Sequence, residues 1–347
     1  MDHLVRSYLK AWEEKDFTLL SEILHPKFTG IRTFFEERLY DLEEVRYVLQ
    51  NPRKIKYEIL DIDHKMTMSY VDCYLNVNGE NELVTLKFSY EDNLIDRVYE
   101  TKRLVGKKRI KCIVSYDGSM FDGYQKQPHK RTIQGEIEQA LFTITKEKIL
   151  IHSSGRTDKG VHALNQVFHF DTASKINPDT FYQVINKELP DDIYIKSSCE
   201  VHETFHSRYD IATKEYYYII NKKEYDVIKR NYEWYPEEFD EELFKKSFLE
   251  VVGRFDFSSF TKTNESNNVR TVYDVRFVEN EHYLYIYIKG SGFLRYMIRN
   301  LVGSAMAIAK HRTTYTMTQI LMNKDNTIIK DIAPSSGLYM NKVTYYE

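Results

Sequence analysis

Cysteine is scarce in this chain: of 347 residues only Cys73, Cys112 and Cys199 carry a thiol, with neither paired nor metal-ligand spacing. That excludes a disulfide framework, argues against a zinc site and suits a reducing compartment. Proline (7) and glycine (13) are too few for a low-complexity or collagen-like chain. Long apolar runs are missing, and Met1-Asp2-His3-Leu4-Val5-Arg6 lacks the basic start and apolar block of a secretion signal, so the expectation is no membrane association and a cytoplasmic location. Neither a Gly-rich phosphate loop, nor a dinucleotide fingerprint, nor a metal-spaced His/Cys cluster is found, and no cofactor or metal is expected. Basic excess is lacking too, for the net charge is −3, which tells against an indiscriminate nucleic-acid binder.

What is present is length and apolar content enough for two or more compact units, with 42% hydrophobic residues. Tyrosine, at 28, dominates the aromatics; it offers a stacking face and a polar tip to nucleic acid, although an AT-rich coding background gives the same bias. Charge is unevenly spread. Residues 1–105 hold 15 basic against 20 acidic side chains, leaving 34 against 32 for the rest. The basic stretch Thr101 to Arg109 marks the junction, giving domains 1–105 and 106–347. In the first, Leu4, Val5, Tyr8, Leu9 and Trp12 fall at helical spacing, and a second helix from Phe17 to Leu24 is expected to end at His25-Pro26. Alternating segments Ile55 to Ile62, Thr67 to Val77, Glu82 to Tyr90 and Leu94 to Glu100 follow, with the hairpin signal Asn78-Gly79 between the second and third. They predict two helices on a curved antiparallel sheet. In the second domain the pattern predicts strands Ile110 to Tyr116, Leu150 to Ser153, Gln166 to Asp171, Ile193 to Val201, Glu215 to Asn221, Thr271 to Glu279 and Tyr283 to Lys289. Helices are expected over Ile133 to Ile144, Pro178 to Glu188, Glu241 to Val252 and Phe293 to Ala309. Hairpin-joined strands with helices laid on one side make an α+β fold with a mixed, mostly antiparallel sheet.

The chemistry concentrates in Gly155-Arg156-Thr157-Asp158-Lys159-Gly160-Val161-His162-Ala163. Glycines let the backbone turn tightly and a ligand come close, and the neighbouring Arg156 is expected to pair with Asp158 and hold it ionised as a nucleophile. A polar surface turn satisfies the same letters, so the flanking sequence has to decide. It contains Tyr116-Asp117-Gly118-Ser119-Met120-Phe121-Asp122-Gly123-Tyr124-Gln125, Thr132-Ile133-Gln134-Gly135, Phe205-His206-Ser207-Arg208-Tyr209, Lys214-Glu215-Tyr216-Tyr217-Tyr218, Val269-Arg270-Thr271, Phe293-Leu294-Arg295-Tyr296-Met297-Ile298-Arg299-Asn300 and Ala333-Pro334-Ser335-Ser336-Gly337-Leu338-Tyr339.

In that order and spacing these motifs resemble the TruA family of tRNA pseudouridine synthases, from about Lys108 onward. The resemblance implies the pseudouridine synthase fold, two related halves around a central cleft, a homodimer, tRNA as partner and no cofactor. It further implies conversion of uridine to pseudouridine at positions 38, 39 and 40 of the anticodon stem-loop. Asp158 matches the family's nucleophile or base, which opens the reaction at the sugar C2′, at C1′ or at C6 of uracil. Arg156 matches the residue that fills the space of a flipped base, Tyr216 the tyrosine that packs on the target base, and Arg299 an arginine of the cleft. Lys159, Arg208, Arg270 and Arg295 are phosphate-contact candidates, while His162 and His206 read as structural donors. Tyr124 stands where the family usually has Trp, and Tyr296 where His is common. Separately, Tyr8 to Phe17 followed by Leu24-His25-Pro26-Lys27-Phe28 is similar to the NTF2-like, or SnoaL-like, superfamily, whose cone encloses a pocket. That implies an unidentified small-molecule or protein partner for residues 1–105, with Asp61, Asp63, His64 and Tyr74 as the polar candidates for such a pocket.

Overall fold

Val5, Tyr8, Leu9 and Trp12 fall on one side of a helix, and all four are buried in α1 (Asp2–Glu14), which Lys15 closes by turning left-handed at φ 58. The computed structural model describes residues 1–32, 38–50, 52–65, 67–262, 268–328 and 331–346. Contacts divide the chain into two units, Met1–Lys108 with His202–Phe205, and Arg109–Val201 with His206–Glu347.

In the first unit the Asp16 carboxylate caps α2 (Phe17–Ile23) by accepting from the Leu19 N–H at 3.0 Å. Beyond it lie β1 (Leu24–Arg32), β2 (Arg38–Asp41), α3 (Leu42–Leu49), β3 (Ile55–Lys65), β4 (Met68–Val77), β5 (Glu80–Glu91) and β6 (Leu94–Lys102). The sheet runs β2-β1-β6-β5-β4-β3. Because β1 lies parallel to β6, it is mixed rather than wholly antiparallel. Asn78 and Gly79, at φ 55 and 98, make the expected two-residue turn, with Val77 opposite Glu80.

A polar group lies inside this unit, and it is not the one expected. Asp61, Asp63, His64 and Tyr74 are exposed. Inward instead points Glu100, fully buried, which accepts from Arg32 Nε at 2.8 Å and Tyr40 Oη at 3.1 Å. Tyr8 Oη lies 3.3 Å from Tyr40 Oη. Glu100 holds the Arg32 guanidinium protonated far above its usual range, and burial pushes the hydroxyls of Tyr8 and Tyr40 up. Glu100→Ala removes the carboxylate that faces the guanidinium and Tyr40 Oη and is expected to destabilise the unit by about 3–5 kcal/mol. Denaturant unfolding followed by Trp12 fluorescence in a Trp234→Phe background checks this, since the two tryptophans fall one in each unit.

The second unit contains β7 (Lys108–Tyr116), α4 (Ile133–Thr145), β8 (His152–Ser153), β9 (His162–Thr172), α5 (Phe181–Ile185), β10 (Ile193–Val201), β11 (Ile211–Asn221) and α6 (Glu241–Leu249). The chain continues through β12 (Gly253–Asp256), β13 (Val269–Glu279), β14 (Tyr283–Gly290), α7 (Met297–Ala309), α8 (Met317–Asn323) and β15 (Leu338–Tyr345). The strand order is β10-β7-β9-β15-β11-β14-β13-β12, with β8 beside β9. Strand β15 pairs antiparallel with β11 and parallel with β9, joining one half of the sheet to the other. Mixed sheets with helices make both units α+β. The helix expected from Phe293 begins only at Met297, because Tyr296 adopts a left-handed φ of 63 and breaks the preceding turn.

Candidate active site

The loop between β8 and β9 is pinned by its backbone. Tyr124 N–H donates to Thr157 O at 3.1 Å, Gln166 Nε2 to Gly155 O at 2.8 Å and Val161 N–H to Asp158 O at 3.1 Å. Tyr116 Oη meets Thr157 Oγ1 at 2.8 Å. Gly123, at φ 93, lies so close that a Cβ there would stand 3.0 Å from Thr157 O. The loop therefore holds Asp158 without using its side chain.

That side chain is 20% exposed and lies 3.9 Å from both Arg299 Nη1 and Arg295 Nε. The pair expected between Arg156 and Asp158 is not formed: Arg156 is exposed and makes no ion pair or hydrogen bond among the described residues. Residues two apart in this turn project in different directions, so adjacency in sequence did not make them partners. The expected depression of the Asp158 pKa is reversed as well. Burial raises it above its ordinary 3.8, and the two guanidiniums, Arg299 more than Arg295, only partly offset that.

Arg299 is fixed by its place on α7 and by donation from Nε to Ala333 O at 2.7 Å. Arg295 is 61% exposed, its guanidinium 4.9 Å from the Tyr296 ring centre, with Nη2 3.1 Å from Tyr296 Oη. Tyr296, the residue in the family's histidine position, thus carries one arginine of the pair, and the Arg299 guanidinium lies 5.6 Å from the same ring. Alternation on β11 puts Tyr216 and Tyr218 on the buried face while Tyr217 stacks on Tyr339 from the other side, at 4.8 Å. Tyr216 meets Phe293 edge-to-face at 5.4 Å. Burial foremost, then Tyr116 and Asp158, drives its hydroxyl far above the usual tyrosine value, so it stays protonated.

The remaining sequence candidates separate. Lys159 is 74% exposed and pairs with Asp122 at 2.9 Å. Arg208 is exposed beside Tyr209, and Arg270 donates to Val269 O at 2.8 Å. His162 is buried between the Gly118 N–H, which donates to Nδ1, and Asn231 O, 2.8 Å from Nε2. His206 packs against His152 and His169, and burial lowers its pKa well below the usual value. Tyr124 is buried, its ring centre 6.2 Å from that of Tyr116. One residue was overlooked in the sequence: Lys214, on the same face of β11 as Tyr216, donates from Nζ to Ser154 O at 2.6 Å. Its signal was the two-residue spacing from Tyr216. Among the described residues, His25, Glu91 and Asp92 of the first unit bring three ligating atoms together, but two of the three are exposed acids, which commonly cluster without an ion.

A family model described as tRNA pseudouridine synthase matches residues 112–210 and 249–346. The tRNA pseudouridine synthase A of Geobacillus sp. (strain WCH70) is 41% identical over 244 residues, 69% of this chain and 98% of that protein. The chain belongs to the tRNA pseudouridine synthase family. The tRNA pseudouridine synthase A of Thermotoga petrophila is 37% identical over 244 residues, covering 69% of this chain and all of that one. Membership makes the protein an isomerase acting on uridine in tRNA. Solved structures similar to part of the chain include an NTF2-like protein of unknown function from Cytophaga hutchinsonii, with 17% identity, 29% of this chain, 87% of that chain and a TM-score of 0.26. A putative ketosteroid isomerase from Kribbella flavida gives 13% identity, 30% and 77% coverage and a TM-score of 0.27. Likeness at that level carries no argument about function. Among the described residues no helix is long and apolar enough to cross a membrane.

Proposed function

We propose that this synthase modifies uridines 38, 39 and 40 of the tRNA anticodon stem-loop, with Asp158 as the group that opens the reaction. The observation that carries the reading is a carboxylate on a hydrogen-bonded loop, only 20% exposed and 3.9 Å from each of two guanidiniums. Isomerisation breaks the N1–C1′ bond, turns the held base and forms the C5–C1′ bond, after which C5 loses its proton to solvent. No oxidant, reductant or external energy enters. Asp158 starts this by removing the C2′ proton, or by attacking C1′ or C6. Arg299 orients the carboxylate and keeps enough of it ionised. Tyr216, protonated throughout, packs on the base and donates rather than abstracts. Arg156, exposed and unengaged, takes the space the flipped base leaves. Lys159, Arg208, Arg270 and Arg295 meet phosphates.

In this reading residues 106–347 are the catalytic domain, acting as a homodimer in the cytoplasm, and residues 1–105 serve a small-molecule or protein partner of their own. The test is tritium release from C5-labelled uridine in an unmodified tRNA transcript, followed by mapping of the modified positions. Release confined to 38, 39 and 40 is expected. Release mapping to another arm would overturn the site assignment, and binding without release would leave an RNA-binding protein that keeps the fold but not the activity.

A further inference from the structure

Lys214 is half-buried in an environment that offers its charge little. An ammonium has three N–H donors, and among the described residues this one meets a single acceptor, Ser154 O, at 2.6 Å. Among the described residues no carboxylate pairs with it. The charged groups that act on it are Arg208, from the segment after β10, and Arg270, from β13, and both repel it. Ser154 and Gly155 of the catalytic loop and Met340 of β15 surround it without charge; a Cβ at residue 155 would stand 3.0 Å from Nζ, so glycine there leaves it room. Arg270 in turn borders Gly292, in the segment that leads to α7. Lys214 of β11 and Val272 of β13 both lie opposite Gly290 of β14, which sets Arg270 two residues along β13 from the level of Lys214, and Lys214 lies one pleat repeat, about 7 Å, along β11 from Tyr216.

We propose that Lys214, Arg208 and Arg270 form a binding subsite for a phosphodiester of the RNA next to the target nucleotide. This rests on tRNA as the substrate. In the free protein burial, Arg208 and Arg270 bring the Lys214 pKa down to about 7. A phosphate supplies the missing acceptors and the opposite charge, raises that pKa and draws a proton from solvent. Affinity is then complete below pH 7 and declines as pH rises through the free-state value. His206, which faces Arg208, is held neutral across that range by burial. Through Ser154 O the same ammonium ties phosphate binding to the position of the loop.

The experiment is equilibrium binding of an unmodified tRNA transcript to the intact chain at pH 6.5, 7.5 and 8.5 over a series of salt concentrations, for the native protein, Lys214→Gln and Lys214→Arg. Native affinity is expected to fall up to about tenfold from pH 6.5 to 8.5. Lys214→Gln should bind about three- to tenfold more weakly, with a salt slope shallower by nearly one and no pH dependence in this range. Lys214→Arg should retain affinity and slope yet lose the pH dependence, because its charge does not titrate. Native slope and pH profile in Lys214→Gln would overturn the subsite and leave a loop tie. If Lys214→Gln melts early, the arginine variant decides, and a native pH profile there overturns the proposal. Tritium release measured in parallel separates the readings: binding as expected without release sinks the catalytic assignment and leaves the subsite standing.

Discussion

Asp158→Ala is expected to lower pseudouridine formation by about four orders of magnitude or more, while the affinity for tRNA stays level or tightens. The chemical half follows from the site, which holds no second carboxylate within ion-pair distance of Arg295 and Arg299 among the described residues. The binding half follows from how the loop is held. Its contacts run through Thr157 O, Gly155 O and Asp158 O, and the Asp158 side chain makes no hydrogen bond. Truncation therefore leaves the loop in place, and it frees two guanidiniums to attract an anionic ligand. Single-turnover tritium release and filter binding on the same preparations check both halves. A variant that loses affinity in step with activity would show Asp158 to be a structural residue.

Arg299→Gln should act in a different way, by moving the pH at which Asp158 ionises. Burial already raises that carboxyl, and Arg299 is the stronger of the two groups that pull it down. Removing the guanidinium raises the pKa further, so the acid limb of kcat/KM shifts to higher pH, and the rate on the plateau falls about 10²–10³-fold with the lost orientation. Arg299→Lys should restore the limb more than the plateau, since a lysine supplies charge without the bond from Nε to Ala333 O. An unmoved limb in Arg299→Gln would mean that Asp158 does not titrate on that limb. The sign for stability is opposite to that of a salt-bridged aspartate. A carboxyl whose folded pKa is raised favours the protonated state, so its contribution is present in acid and is lost as pH rises from 3.8 through the raised value.

What the sequence disclosed followed physical range. Alternation on β11 placed Tyr216 and Tyr218 on one face because strand periodicity is local, and the Asn78-Gly79 turn was legible for the same reason. The partner of Asp158 was not. The nearest guanidinium in sequence, Arg156, turns to solvent, while Arg295 and Arg299 arrive from more than 130 residues away, Arg299 on α7 and Arg295 just before it, where Tyr296 delays the helix start. Lys214 was hidden similarly, since the acceptor of its ammonium, Ser154 O, lies 60 residues earlier in the chain. In the first unit, β1, β2 and α3 were unanticipated, and the inward polar group is set by the parallel pairing of β1 with β6, which brings Arg32 level with Glu100.

The central place of β15 also bears on the order in which the protein can be made. Leu338–Tyr345 is synthesised after every other strand of its sheet, yet it alone bridges β9, which follows the Asp158 loop, to β11, which carries Tyr216. Until that segment emerges from the ribosome the two halves have exposed edges and no shared ladder. A nascent chain halted before Leu338 is thus a pair of unfinished sheets open to pairing with other chains, and the ladder that links the Asp158 loop to Tyr216 forms only when Leu338–Tyr345 is available to pair.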